Sequence, residues 1–467
     1  MKLTRWSLLA IACLTLSLVS SAASFADEEA NPELVQLVIG LLADPDKDLR
    51  ALGFEQVRTA AKGAAATRQF AAQLPKLPPD AQVGLLSALA DRGDPAARPA
   101  VLEMLDTSRE EPVRVAAIIA LAPLGEPADA NRLMELLSAE SATEQEAARD
   151  SLIRLSGERV PADIAAGLTQ GEPPLRVTLI EILAERRALD LVPAILTAAT
   201  DDEASVRAAA MTALGQLAGP EHMSGMVQGV LKAELGAERA AAEKSIQSVC
   251  GRIDADKRAE PLLAAMDQLD PADRMALLPT LGRVGGVAAL SIIEEAISNP
   301  DAAMHETGIL ALCNWPEASI APRLIELVQA DEHSEHRAMA LRALIRVAPL
   351  PDGRSNDQRL ALVQQALAFC TRDEERNLLL GRAHAVRTVE ALRFLTPFMD
   401  QPSLAQQACL STVELAHHRE LRDANKAEFH AALDKVIQTS QDATVIDRAN
   451  RYKNGQTWVR PSSIKRK

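Results

Sequence analysis

Histidines and cysteines are the residue types here that most often make chemical sites, and their spacing is the first thing to weigh. Glu332-His333-Ser334-Glu335-His336 sets two imidazoles at i and i+3 between carboxylates. That spacing can take a metal ion weakly at a surface, but the segment reads as a solvated turn and helix start. His305-Glu306 puts one imidazole beside one carboxylate, and His417-His418 with His430 read as surface residues near the C-terminal end. The cysteines at 250, 313, 370 and 409 lie 63, 57 and 39 residues apart, with no CxxC, no CxxCH and no zinc-type Cys/His spacing. They read as small hydrophobes buried in helices, not as ligands or a disulfide framework. HExxH, GxSxG and GxxxxGK do not occur, which removes the usual signatures of zinc peptidases, serine hydrolases and P-loop enzymes. The expectation is no catalytic residue, no cofactor and no metal.

Arginine is the charged residue that recurs. Arg50, Arg114, Arg176, Arg207, Arg274, Arg337 and Arg376 each follow an acidic residue by one to four positions: Asp46 and Asp48, Glu111, Glu172, Glu203, Asp273, Glu335 and Glu375. An anion-binding stripe needs unpaired guanidinium groups, whereas acids accompany these. The pattern therefore predicts a structural ladder, each guanidinium tying an inter-helix turn to a neighbouring unit by charge-assisted hydrogen bonds.

These arginines mark a repeat. Ser205-Val-Arg-Ala-Ala-Ala-Met-Thr-Ala-Leu-Gly recurs around Arg50, Arg114 and Arg176, with weaker copies at Gln82, Glu146, Arg239, Arg274, His305, Arg337, Arg376 and Gln406, at an average step of about 32 residues. Each unit reads as two helices. Val113, Ala116, Ala117, Ala120, Leu121 and Leu124 make the one-sided stripe of an anchored helix, and Pro99, Pro193, Pro261 and Pro322 sit in the opening turns of the helices that precede anchors. No segment shows the period-2 alternation of a sheet. A hairpin of this size cannot bury its stripe alone, so the units must stack. The prediction is an all-α fold, a right-handed α-solenoid of about twelve two-helix repeats. Longer steps place an insertion at 349–357 and three added residues at 254–257, both as surface loops.

The motif acidic-x-(x)-Val-Arg-x-x-Ala-x-x-Ala-Leu-Gly, strongest at Val113-Arg114 and Val206-Arg207, resembles HEAT repeats, in particular the short HEAT-like repeats named after phycobilisome lyases, in an exported bacterial form. The resemblance runs over about 31–454 and implies fold more than function. It brings two enzymes to mind. A HEAT-like di-iron hydroxylase draws His-Glu pairs from several repeats, and this chain has only His305-Glu306, with His336 as a neighbour. HEAT-like bilin lyases work in the cytoplasm, which an export signal argues against.

With 64 acidic and 50 basic residues among 467, the formal charge of −14 excludes a generic nucleic-acid or polyanion binder. Aromatics at 2% make an aromatic-lined cofactor cavity a poor expectation. Lys2 and Arg5, the apolar stretch from Leu8 to Val19 and the small residues that follow read as a Sec-type signal peptide over 1–26, cut near Ala26, so the mature chain is expected in the periplasm or outside the cell. No later stretch is long enough to span a membrane. The domain reading is a signal peptide at 1–26, one repeat domain at 27–454 and a basic disordered tail at 455–467. From Arg448 onward there are seven basic residues and no acid; without these and the signal's two, the formal charge falls to −23. The function expected is a non-catalytic scaffold or adaptor that binds a protein with a basic patch along a concave acidic face, in an unknown oligomeric state. The alternative is an arm at the tail that binds an acidic polymer or the envelope.

Overall fold

The computed structural model describes residues 32–330 and 333–458. The signal peptide read at 1–26, Glu332 and residues 459–467 of the tail lie outside the described residues. Among those described, every regular element is helical, with twenty-eight α-helices, short 3-10 turns and no strand. The chain is an all-α solenoid in architecture, built from consecutive two-helix hairpins.

It divides into two compact units, the first ending at Leu217 and the second beginning at Ala218, so the repeat region read over 27–454 covers both. The first unit contains six hairpins, from Pro32–Leu42 with Lys47–Thr59 to Val192–Ala198 with Ala204–Leu217. The second contains seven, from Met223–Lys232 with Ala237–Cys250 to Lys426–Thr439 with Ala443–Lys453. The last of these, with the apolar Ile446 at the anchor position, adds one unit to the twelve that the sequence repeat marks.

Local chemistry explains the hairpins. Asp46, Ser141, Asp301 and Asp442 each accept a hydrogen bond from a backbone N–H of the helix they open. Such caps satisfy donors that the first helical turn leaves without partners. Pro99, Pro193, Pro261 and Pro322 all fall at the second position of their helices, where no intrahelical donor is lost. The helix Glu111–Leu124 buries Val113, Ala117, Ala120, Leu121 and Leu124, while Ala116 is only half-buried. The insertion at 349–357 is a loop that ends in a capping box, Ser355 with Gln358, opening the helix Asn356–Phe369. Residues 254–257 form a turn.

One break in the pattern is resolved by backbone contact. The anchored helix near 274 is split into Pro271–Ala276 and Leu278–Val284. Its second half packs so closely on Ala302–Cys313 that a Cβ on Gly282 would lie 2.0 Å from the carbonyl oxygen of Ala311. Only glycine fits there.

Residues 455–458 lie against the last hairpin. Gly455 and Gln456 donate backbone hydrogen bonds to Tyr452 and Arg451, and the Arg448 guanidinium lies 4.8 Å from the Trp458 ring centroid. Arg448 is buried and pairs with Glu414 at 2.6 Å, Arg451 pairs with Asp447 and Lys453 with Asp434. The basic character read from 448 onward is thus neutralised over its first three cations.

Candidate functional site

The anchor arginines occupy the fourth residue of their helices, where the first intrahelical hydrogen bond closes. From there, Arg50 donates to the carbonyls of Asp44 and Pro45 in its own turn, both at 2.9 Å, and to Asp80 of the next repeat at 3.1 Å. Arg114 makes a bidentate pair with Glu144, at 2.7 and 2.8 Å, and Arg176 pairs with Asp201. Arg207 donates to the carbonyls of Asp201 and Asp202. In the second unit Arg274 holds Met266 O and Asp267, Arg337 holds Val328 O, and Arg376 holds Asp373 within its own first turn.

The weak copies explain themselves at this position. Gln82 donates to Leu74 O at 3.0 Å and Gln145 to Ala139 O at 2.7 Å. The structure corrects the anchor read at Glu146 by one residue, since it is Gln145 whose amide faces the turn while Glu146 is exposed. His305 takes the same place, its Nδ1 sharing a hydrogen with Ile297 O at 2.5 Å, while Glu306 is exposed. The side-by-side pair in sequence is therefore not a pair in space.

A second row of arginines went unread in the sequence. Arg92 donates to Val57 O, Ala60 O and Ala61 O; Arg186 to Leu152 O, Ile153 O and Leu155 O; Arg252 to Ala218 O; and Arg346 to Cys313 O and Trp315 O. Each reaches back one repeat to the carbonyls at the C-terminal end of the preceding anchored helix. Those carbonyls lack intrahelical donors and carry the negative end of the helix dipole, so a cation there caps the helix without any carboxylate. Burial pulls Arg92, Arg186 and Arg346 below the usual arginine range, and they stay charged regardless. Their spacings are whole multiples of the repeat, and that was the available signal.

Buried carboxylates complete the framework. Asp129 accepts Arg98 at 2.6 and 2.7 Å and the Glu126 N–H at 2.8 Å. Burial pushes its carboxyl up, but the guanidinium and the N–H outweigh it and hold it below the usual range. Glu243 accepts from Arg283 at 2.8 Å. The four cysteines are free and buried, and desolvation pushes Cys250, Cys370 and Cys409 up to about 11 and Cys313 to about 12.

The structure brings both His305 and His333 near His336, with ring centroids 5.6 and 5.0 Å away. Among the described residues no group of three or more His, Cys, Asp or Glu side chains is arranged to hold a metal ion. His417 is exposed, as read from the sequence, and its Nδ1 is hydrogen-bonded to the Tyr452 hydroxyl at 2.9 Å.

Concave surface is found in several places. In the first unit a groove of about 460 Å³ lies between Pro173–Glu185 and Ala204–Leu217, with Glu181 and Glu185 on one side and Ala208, Thr212 and Gln216 on the other. In the second unit a methionine-rich cavity of about 320 Å³ includes Met266, Arg274 and Met304, and another of about 420 Å³ includes Arg337, Phe369 and Glu375. A cleft of about 670 Å³ is lined by His384, His417, His418, Arg359, Arg387 and Glu414 together with the Pro349–Pro351 loop. No helix among the described residues is long and apolar enough to cross a membrane.

The family model described as HEAT repeats matches residues 67–153 and 162–247, so these stretches are HEAT repeats. No curated protein matches the chain. Among solved structures it is similar to the karyopherin Kap121p bound to the extreme C-terminus of the protein phosphatase Cdc14p, at 12% identity and TM-score 0.48, over 92% of this chain and 56% of that one. It is also similar to Kap121p alone, at 13% and 0.47 over 90% and 53%, and to Kap95p with RanGDP, at 14% and 0.43 over 91% and 63%. The chain spans little more than half the length of these structures.

Proposed function

We propose that this chain is a non-catalytic interaction scaffold that works outside the cytoplasm and binds a protein partner bearing a basic patch. The observation that carries the reading is the direction of the arginines. Arg92, Arg186 and Arg346 spend their charge on buried backbone carbonyls, and Arg50 and Arg207 are themselves buried, while Glu110, Glu146, Glu172, Glu181 and Glu203 are exposed. A formal charge of −14 therefore understates how acidic the exterior is. Stacked hairpins repeat one exposed helix face along each unit, which suits recognition of an extended surface more than turnover of a small substrate. The groove edged by Glu181 and Glu185, which both meet Arg149, is the place in the first unit where a basic segment would exchange for that arginine.

Capture of exported proteins on the immobilised chain, at low and raised salt, tests this. A dominant basic partner that salt releases and that Glu181→Lys weakens supports the reading. A partner indifferent to both, or none on repeated attempts, overturns it. Deleting 455–467 separates the groove from the tail: retained binding favours the groove, lost binding the arm. Mass measurement of the mature N-terminus, expected near Asp27, tests export.

A further inference from the structure

The cleft of about 670 Å³ in the second unit collects cationic and imidazole groups from three successive helices. The helix Asn356–Phe369 supplies Arg359, the turn after Asp373–Ala383 supplies His384 and Arg387, and the end of Ala405–Ala416 with the residues just beyond it supplies Glu414, His417 and His418. The insertion at 349–357 forms the rim through Pro349, Leu350 and Pro351.

Most of these groups are already spoken for. Glu414 is neutralised by Arg448 at 2.6 Å, and Asp352, which faces Arg359, by Arg354 at 2.7 Å. Arg359 donates to Pro349 O, Ala385 O and Asn356 Oδ1. His417 is held by Tyr452. Three groups remain. Arg387 is exposed and makes no hydrogen bond or ion pair among the described residues. The Nδ1 of His384 is buried without a hydrogen bond of good geometry, the ring meeting only the Gly381 backbone within the chain. His418 makes no side-chain hydrogen bond among the described residues. Burial pulls both histidines below their usual range and Arg387 pushes each further the same way, against the opposing pull of Glu414. Arg382 adds to the effect on His384, and His417 to that on His418.

We infer that this cleft binds a small ligand through a phosphate or carboxylate group received by Arg387, His384 and His418. An oxyanion answers each of the three: it accepts from a guanidinium fork and from imidazole N–H groups. A metal ion does not, since the histidines and Glu414 form no coordinating group among the described residues and a cation would face Arg387. The volume lies within the roughly 300–1,000 Å³ of small-molecule sites. In a chain whose formal charge is −14, a local cationic cleft is not a by-product of composition. The site stands apart from the acidic groove, so its failure leaves the scaffold reading intact.

The test is calorimetric titration of the full chain with inorganic phosphate and, separately, citrate. Saturable binding of either at one site per chain, weakened at least about tenfold by Arg387→Ala and unchanged by the control Arg109→Ala, supports the inference. Phosphate alone identifies a phosphate ester as the ligand class, citrate alone a carboxylic acid, and both a general oxyanion site. His418→Ala, at the surface, provides a second variant, expected to weaken binding severalfold. No saturable binding of either probe, or affinity unchanged by Arg387→Ala with the fold intact by circular dichroism, overturns it.

Discussion

The two units use the same anchor position differently. In the first, Arg50, Arg114 and Arg176 reach forward to an acid of the next repeat, Asp80, Glu144 and Asp201, while Gln82 and Gln145 between them close their own turns. In the second, Arg239, Arg274, His305, Arg337 and Arg376 bond only within their own hairpin among the described residues. Beside Arg274 and Arg337 lie cavities of about 320 and 420 Å³. A repeat motif thus fixes where a guanidinium stands, and the following repeat decides whether it serves as a tie or as the wall of a site.

The largest test of this contrast is at Gly282, where the second unit has close backbone approach and its anchor, Arg274, bonds only within its own hairpin among the described residues. Gly282→Ala forces a methyl against the Ala311 carbonyl, which can move only with its helix. A loss of about 3 kcal/mol is expected, read as a fall in urea midpoint and as faster amide exchange in Leu278–Val284; an unchanged midpoint would show that the helices are not so close. Next come the acids that anchors meet. Glu144 is buried beneath a bidentate Arg114, whereas the Asp267 side chain is 70% exposed beside Arg274. Glu144→Ala should cost about 2 kcal/mol, and Asp267→Ala less than about 0.5 kcal/mol. Equal losses would erase the distinction between the units.

Much of this framework was legible in the sequence and some of it was not, for physical reasons. Helices, caps and prolines follow from residue type, because an Asp before a helix or a proline in its first turn acts within a few residues. The anchors were readable for the same reason, although their partners were not. Glu111 stands three residues before Arg114, yet it bonds Ser141 and Thr143, while Arg114 takes Glu144 thirty residues away. The second row, Arg92, Arg186, Arg252 and Arg346, has backbone carbonyls for partners, and a carbonyl has no residue type to read. The oxyanion cleft escaped notice because His384, His418 and Arg387 come from helix ends and turns that only stacking brings together. The repeated Arg with an attendant acid described the scaffold; the exceptions to it, the insertion at 349–357 and the histidines outside the motif, describe the site.

Asp129 offers a smaller test, through pH. Its folded carboxyl titrates below the usual aspartate value, so its contribution is complete above about pH 4 and is lost as pH falls through the folded value. Asp129→Asn should cost about 1.5 kcal/mol at pH 7, and the gap from wild type should narrow below about pH 4 in urea melts taken along a pH series. A gap that does not change with pH would mean that packing, and not charge, is what Asp129 supplies to the first unit.

The smallest effect expected has the opposite sign. Gly40 lies in the helix Pro32–Leu42 with nothing within 4 Å of a Cβ placed on it, in contrast to Gly282 with its neighbour at 2.0 Å. Alanine there loses less backbone freedom on folding and clashes with nothing, so Gly40→Ala should stabilise the first hairpin by about 0.5–1 kcal/mol. Because stacked repeats open from their ends, the gain should show as slower exchange in Pro32–Leu42 more than as a shift of the main transition. A loss there would mean that the exposed face of this helix is covered.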